Sequence, residues 1–183
     1  MRSKMSETMR VRLKVNGKEY VLDVPPDERL VDTLRYRLGY TSVKEGCGRG
    51  ECGSCIVLVN GLPRHSCLTL TATLDGAEIL TVEGLAPEGK LHAIQVAFLE
   101  TRGVQCGFCT PAFMLLTKAL LDKTLDPSDE EIKQWLASAI CRCGSYHYYF
   151  KAVRKAAEYL KKGKILFDEK EVRKNLYKLP LLR

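Results

Sequence analysis

The sequence predicts a mixed α+β protein, in which a small sheet domain is followed by an all-α domain of four short helices. Three observations predict this order. Apolar and charged residues alternate, as in half-buried strands, in the first half of the 183-residue chain. Apolar residues at helical spacing prevail from residue 91 onward. Between these regions, the segment 84–90 contains two glycines and a proline and is predicted to be a linker.

The sheet domain, predicted over residues 9–83, opens with a β-hairpin. Val11, Leu13 and Val15 alternate with charged residues, and every second residue from 20 to 24 (Tyr20, Leu22, Val24) resumes the apolar pattern. The dipeptide Asn16-Gly17 lies between them and favours a two-residue type I′ turn. The sequence therefore predicts two antiparallel strands at the start of the domain.

A helix and three further strands complete the predicted sheet domain. Leucines at helical spacing follow the Pro-Pro-Asp-Glu sequence at 25–28, and Gly39 ends the pattern. Asn60-Gly61 marks a second hairpin turn. The strands are predicted over residues 56–59, 64–68 and 78–82. A hairpin, a crossing helix and further strands are typical of a β-grasp domain.

The second domain, predicted over residues 91–162, contains the four helices. Pro111 suits the first turn of one of them, and Ser128 with Glu131 fits a capping box at the start of another. Apolar residues at helical spacing place the helices near residues 94–98, 112–121, 128–139 and 146–160. A basic C-terminal tail is predicted over residues 163–183.

Charge and composition exclude some functions. The chain has a net charge of +7, but residues 161–183 alone hold eight Lys or Arg against three Asp or Glu. The rest of the chain is nearly balanced, without a basic stripe, so no nucleic-acid partner is expected. No apolar run is long enough for a signal peptide or a membrane span. The sequence therefore predicts a cytoplasmic protein without a membrane span.

Eight cysteines in a reducing compartment indicate metal ligands or redox thiols rather than disulfides. The first four are Cys47, Cys52, Cys55 and Cys67. The C-x4-C-x2-C run with a distant fourth cysteine is the plant-type ferredoxin-like [2Fe–2S] pattern. Glycines between the cysteines let the backbone turn sharply and bring N–H groups near the sulfur atoms. A zinc site is the alternative, since four cysteines also suit structural zinc.

The second four cysteines are Cys106, Cys109, Cys141 and Cys143. They lie in loops beside predicted helices, so two loops that face each other would close a second four-sulfur site. Zinc is again an alternative. The C-x2-C pair alone would suit a thioredoxin-like motif, but the βαβ context of that motif is missing and the other two cysteines would be unexplained.

Other polar side chains are interpreted as structural. The three histidines lack the spacing of a ligand set and are expected on the surface or in loops. Three tyrosines in the last helix are interpreted as packing residues: Tyr146, Tyr148 and Tyr149. The chain offers no nucleophile, general base or substrate pocket, so no catalytic residue is predicted.

The two cysteine blocks at 46–55 and 105–111 resemble the iron–sulfur small subunit of the molybdenum hydroxylases, the family of xanthine oxidase, aldehyde oxidoreductase and carbon monoxide dehydrogenase. The similarity spans about residues 9–160. The resemblance implies an electron-transfer subunit of a heteromeric oxidoreductase, with two [2Fe–2S] clusters. It also implies a large molybdopterin-binding subunit and a medium FAD-binding subunit as partners, in a dimer of heterotrimers.

The resemblance further implies a direction for the electrons. They would pass from the molybdopterin site to the helical-domain cluster, then to the β-grasp cluster and on to FAD. Cys143 would be the ligand nearest the pterin, and Gln105 would hydrogen-bond it through its amide. The chain departs from the family at Gly144-Ser145, where Thr-Gly is usual. A free two-cluster ferredoxin remains an alternative, as does a structural zinc-binding module.

Overall fold

Five strands form the sheet of the N-terminal half in the computed structural model, which describes residues 7–176. They are β1 (Met9–Val15), β2 (Lys18–Val24), β3 (Ile56–Val59), β4 (Leu62–His65) and β5 (Glu78–Leu80). Their order is β2-β1-β5-β3-β4, in which β1 and β5 are parallel and the other neighbours are antiparallel. A mixed α+β architecture is therefore confirmed.

Both predicted hairpin turns are present. Asn16 and Gly17 have φ angles of 52° and 80°, and Asn60 and Gly61 have 50° and 79°, as a type I′ turn requires. The strand predicted over 64–68 begins earlier and ends earlier. Because the turn has only two residues, β4 begins at Leu62, which pairs with Val59 at the end of β3. The pairing ends at His65, so the chain leaves the sheet before Cys67.

The helix predicted after the first hairpin is short and partly unwound. It begins at α1 (Leu30–Asp32) and continues as a wider π turn over Thr33–Arg37. Its leucines at 30 and 34 are fully buried against the sheet. The residues that open the predicted helix, 25–28, precede it as an extended segment and turn.

The C-terminal half contains the four expected helices. They are α2 (Ala93–Glu100), α3 (Thr110–Lys123), α4 (Asp129–Leu136) and α5 (Tyr146–Lys161). The predicted capping box is present at α4, where Ser128 accepts a hydrogen bond from the Glu131 N–H and Glu131 accepts one from the Ser128 N–H. None of the helices described between residues 7 and 176 combines the length and apolar character that a membrane crossing requires.

Strand β3 joins the two halves because both of its faces are buried. Val57 and Val59 point into the core of the sheet domain, with β1 and α1. Ile56 and Leu58 point the other way, into the core built by α2, α3, α4 and α5. Because successive side chains of a strand point to opposite faces, β3 contributes side chains to both cores.

The predicted linker and the predicted tail meet in a small second sheet. Strand β6 (Lys90–His92) pairs antiparallel with β7 (Leu166–Asp168), and helix α6 (Glu169–Leu176) follows. Residues 163–176 of the predicted tail therefore fold onto the rest of the chain, whereas residues 177–183 lie outside the described residues. Neither the pairing nor α6 is predicted from the sequence.

Candidate metal centres

The first cysteine loop wraps its backbone round one sulfur atom. Three main-chain N–H groups point at the Cys47 Sγ, from Arg49 at 3.5 Å, Glu51 at 3.3 Å and Cys52 at 3.4 Å. Gly48 and Gly50 adopt positive φ angles of 65° and 77° that make this curl possible. The loop is therefore shaped to stabilise negative charge on a thiolate.

The four thiols of the first set, three in this loop and one after β4, interact with one another. Cys47 interacts with Cys52, and Cys67 with the buried Cys55. The N–H groups of Arg49 and Cys52 lower the pKa of Cys47 to about 6, whereas burial raises the pKa of Cys67 to about 11. One pair thus lies near solvent and the other lies in the sheet core.

The second set of cysteines comes together from two helix-flanking loops, as the sequence predicts. Cys106 interacts with Cys143, and Cys109 with Cys141. The first pair is exposed and the second is buried. Burial raises the pKa of Cys109 to about 11. Burial also acts to raise the pKa of Cys141, but its contacts with the Ser145 N–H and other groups outweigh burial and lower it.

A tyrosine hydroxyl lies against the buried pair. The Tyr149 hydroxyl oxygen is 3.4 Å from the Cys109 Sγ and 3.9 Å from the Cys141 Sγ. Burial, together with the Cys109 contact, raises the pKa of Tyr149 above its ordinary value. The Tyr146 hydroxyl accepts a hydrogen bond of 2.8 Å from the Cys141 N–H. The interpretation of these two tyrosines as packing residues alone is therefore incomplete.

The two cysteine sites are in direct backbone contact. The carbonyl oxygen of Cys52 accepts a hydrogen bond of 2.9 Å from the N–H of Ile140, the residue before Cys141. Gly53, with φ of 69°, packs so tightly here that a Cβ on it would overlap the Ser138 carbonyl oxygen. No side chain other than hydrogen fits between the two loops.

Gln105 lies at the exposed edge of the second site. Its Nε2 donates a hydrogen bond of 3.0 Å to the Oγ of Ser145, which is fully buried. Since Ser145 stands two residues after Cys143, this bond holds Gln105 beside the exposed thiol pair. Gln105 is thus bonded to the loop that carries Cys143, the other residue that the resemblance places near a pterin.

The donor sets fit two-iron clusters. A [2Fe–2S] cluster takes four cysteine sulfurs, two on each iron, and each site brings four cysteine thiols together. Main-chain N–H groups approach the Cys47 sulfur in the first site and the Cys141 sulfur in the second, and they stabilise negative charge on those sulfurs.

Comparisons with known proteins agree with these geometries. The 2Fe-2S iron-sulfur cluster binding domain family matches residues 13–81, and the [2Fe-2S] binding domain family matches residues 81–154. The chain is 47% identical over 148 residues to the nicotinate dehydrogenase small FeS subunit of Eubacterium barkeri, which covers 81% of this chain and 94% of that relative. The chain belongs to the family of iron–sulfur small subunits of the molybdenum hydroxylases.

Solved structures place this iron–sulfur subunit in the same family. It superposes on quinoline 2-oxidoreductase from Pseudomonas putida 86 with a TM-score of 0.82 and 38% identity, over 87% of this chain and 99% of that one. With the aldehyde oxidoreductase from Desulfovibrio desulfuricans the TM-score is 0.79 at 39% identity, over 85% of this chain but 17% of that one. The same two domains thus occur either as a separate subunit or within a longer chain. The expected redox subunit with two [2Fe–2S]-binding domains is confirmed.

Sequence reasoning does not identify two polar side chains with defined roles in the iron–sulfur subunit. Tyr149 has the spacing of an ordinary core residue, so no sequence signal marks its contact with two cysteines. His92 is expected in a surface or loop position but is buried, and its Nδ1 accepts a hydrogen bond of 3.2 Å from the Ile94 N–H at the start of α2. A sequence signal for His92 does exist, because Gln95 three residues later completes a capping box.

Proposed function

We propose that this iron–sulfur subunit carries electrons singly from a molybdopterin-binding large subunit to an FAD-binding medium subunit, within a cytoplasmic dimer of heterotrimers. The helical-domain site receives each electron and the β-grasp site passes it on. We assign the ligands as two sets. They are Cys47, Cys52, Cys55 and Cys67 in the β-grasp domain, and Cys106, Cys109, Cys141 and Cys143 in the helical domain. Each bound cluster would supply a one-electron couple.

The backbone link between the sites is the observation that carries the proposal. A hydrogen bond of 2.9 Å runs from the Ile140 N–H to the carbonyl oxygen of Cys52. Cys52 belongs to the first cysteine set, and Ile140 directly precedes Cys141 of the second. Gly53 lets the two loops approach closely enough for that bond. The two domains therefore offer a short route of bonded atoms between two redox sites.

The exposed thiol pair supports docking of a pterin-binding partner at the helical domain. Cys106 and Cys143 are exposed, and so are the neighbouring Gln105 and Phe108. An amide can donate and accept at once, so Gln105 could bind a pterin ring beside the thiol of Cys143. Phe108, with 43% of its surface exposed, offers an apolar contact that a partner subunit would cover.

The β-grasp site has its own exposed side, which supports a second partner there. Cys47 and Cys52 are partly exposed, whereas Cys55 and Cys67 are buried. Leu68, directly after the last cysteine, is exposed to solvent over 62% of its surface. An electron that arrives through the helical-domain site therefore has an exit near the surface at Cys47 and Cys52, where a flavin-binding subunit could dock.

Co-expression with the large and medium subunits tests the proposal. The anaerobically purified complex should contain about four irons for each copy of this chain, because two clusters hold two irons each. Phe108→Ser should retain this iron but weaken co-purification with the large subunit. Tyr36→Ser is the matched control, since Tyr36 is an aromatic residue with 71% of its surface exposed and lies in the helix that follows the first hairpin.

Two results would contradict the proposal. A stable monomer that co-purifies with neither subunit would favour a free ferredoxin. A colourless protein that holds zinc in place of iron would favour a structural module, because zinc–thiolate sites lack the visible absorption of [2Fe–2S] clusters.

A further inference from the structure

We infer that Tyr149 raises the reduction potential of the helical-domain cluster by donating a hydrogen bond to the sulfur of Cys109, beside the sulfur of Cys141. The inference rests on the proposed assignment of Cys109 and Cys141 as ligands. It does not depend on the identity of the partner subunits.

The hydroxyl of Tyr149 is close enough to both sulfurs to act on them. It lies 3.4 Å from the Cys109 Sγ, within the range of a hydrogen bond to sulfur, and 3.9 Å from the Cys141 Sγ. A cysteine that binds iron is a thiolate and has no proton to donate. The hydroxyl must therefore be the donor when the cluster is bound.

A second hydroxyl lies behind that of Tyr149. The Oγ1 of Thr110 lies 3.2 Å from the Tyr149 oxygen, and both side chains are buried. Since the Tyr149 proton points to sulfur, its oxygen accepts the proton of Thr110. Hydrogen bonds in such a chain polarise one another, so Thr110 strengthens the donation from Tyr149.

The ring of Tyr149 cannot move away from the sulfurs without disturbing the core. Phe98 and Phe113 pack against it, with ring centroids 5.2 and 4.5 Å away. On another side, a Cβ on Gly103 would lie 2.9 Å from the ring, so glycine is needed for the tyrosine to fit. With 1% of its surface exposed, the side chain is held in one place.

The effect on the cluster follows from charge. Reduction adds one electron, and part of the added negative charge falls on the cysteine sulfurs. A donor aimed at those sulfurs stabilises the reduced form more than the oxidised form and raises the potential. Because Tyr149, Cys109 and Cys141 are all buried, water screens this interaction little.

Tyr149→Phe removes the hydroxyl and keeps the ring. A redox titration of the full chain, followed by EPR, should show two one-electron waves in the wild type. In Tyr149→Phe, the equilibrium constant for reduction of one cluster should fall roughly tenfold. Its wave should therefore shift to lower potential by about 59 mV, the value for a one-electron couple. The other wave, from the β-grasp site, should not move.

Tyr159→Phe is the control on the same helix. Its hydroxyl donates to Glu100 and contacts no cysteine, so neither wave should move. Equal shifts of both waves in Tyr149→Phe, or no shift in either, would overturn the inference. Failure of the ligand assignment itself would appear differently, as wild-type protein without about four irons.

Thr110→Val provides a second test if Tyr149→Phe loses iron. It keeps Tyr149 in place and removes only the donor behind it. The same wave should then shift to lower potential, with a fall of about twofold in the equilibrium constant for reduction, because one polarising hydrogen bond is lost. An unshifted wave in Thr110→Val would overturn the inference.

Discussion

Gly53 provides a direct test of how closely the two cysteine loops must approach. In Gly53→Ala, the new Cβ would overlap the Ser138 carbonyl oxygen and lie 2.7 Å from the Ala139 Cα. Both are backbone atoms, so the loops must separate. The variant also forces alanine to keep a φ of 69°.

The cost of this substitution can be worked from its parts. A left-handed conformation costs a residue other than glycine about 1–2 kcal/mol. Separation of the loops also loses the hydrogen bond from Ile140 to Cys52, at about 0.5–1.5 kcal/mol. The total is about 1.5–3.5 kcal/mol, and at about 2–4 °C per kcal/mol for a chain of this size the melting temperature should fall by about 3–14 °C.

Gly61→Ala separates backbone strain from the clash. Gly61 has a φ of 79°, and a Cβ added to it would have no atom within 4 Å, so only the conformational cost of about 1–2 kcal/mol applies. Thermal unfolding of the two iron-loaded variants, followed by visible absorption and circular dichroism, gives the comparison. Equal losses in the two variants would refute the argument that Gly53 is needed for the contact between loops.

Three other substitutions have distinct expected outcomes. Burial and the nearby charge of Lys118 lower the pKa of His92, so the folded protein favours the neutral imidazole. The contribution of His92 to stability should therefore be full above about pH 6.5 and decrease as the pH falls. In thermal melts, His92→Asn should flatten this pH profile. Ser128→Ala removes a helix cap and should cost about 1 kcal/mol in denaturant unfolding, with iron content unchanged. Cys55→Ala should lower the iron content from about four to about two per chain, measured by colorimetric iron assay.

For each of these three substitutions, a different result would contradict the prediction. A His92→Asn profile parallel to that of the wild type would assign the pH dependence to other groups. An unchanged unfolding free energy in Ser128→Ala would mean that the capping box contributes nothing to the fold. Retention of about four irons by Cys55→Ala would remove Cys55 from the ligand set.

The features predicted from the sequence are those with local causes. Asn16-Gly17 and Asn60-Gly61 fix their turns through the backbone preferences of two residues, and the capping box at Ser128 lies within a single turn of helix. The two cysteine sets are also predictable, because the spacing within each loop restricts the geometry of the sulfurs. Their assignment as ligands stays a prediction.

The features that the sequence does not predict depend on distant parts of the chain. Tyr149 meets Cys109 only because α5 packs against the start of α3, across forty positions of sequence. The three-residue strands β6 and β7 lie farther apart still, and neither is long enough to give an alternating pattern.

The double burial of β3 has a consequence for how this chain could change over time. A fragment that ends after the sheet domain would expose Ile56 and Leu58 to water, and a fragment that holds only the helices would lack these side chains. Exchange of one domain for another by recombination would leave such a row of apolar side chains without cover. The two redox domains are therefore best inherited as a single module, whether alone or joined to a longer polypeptide.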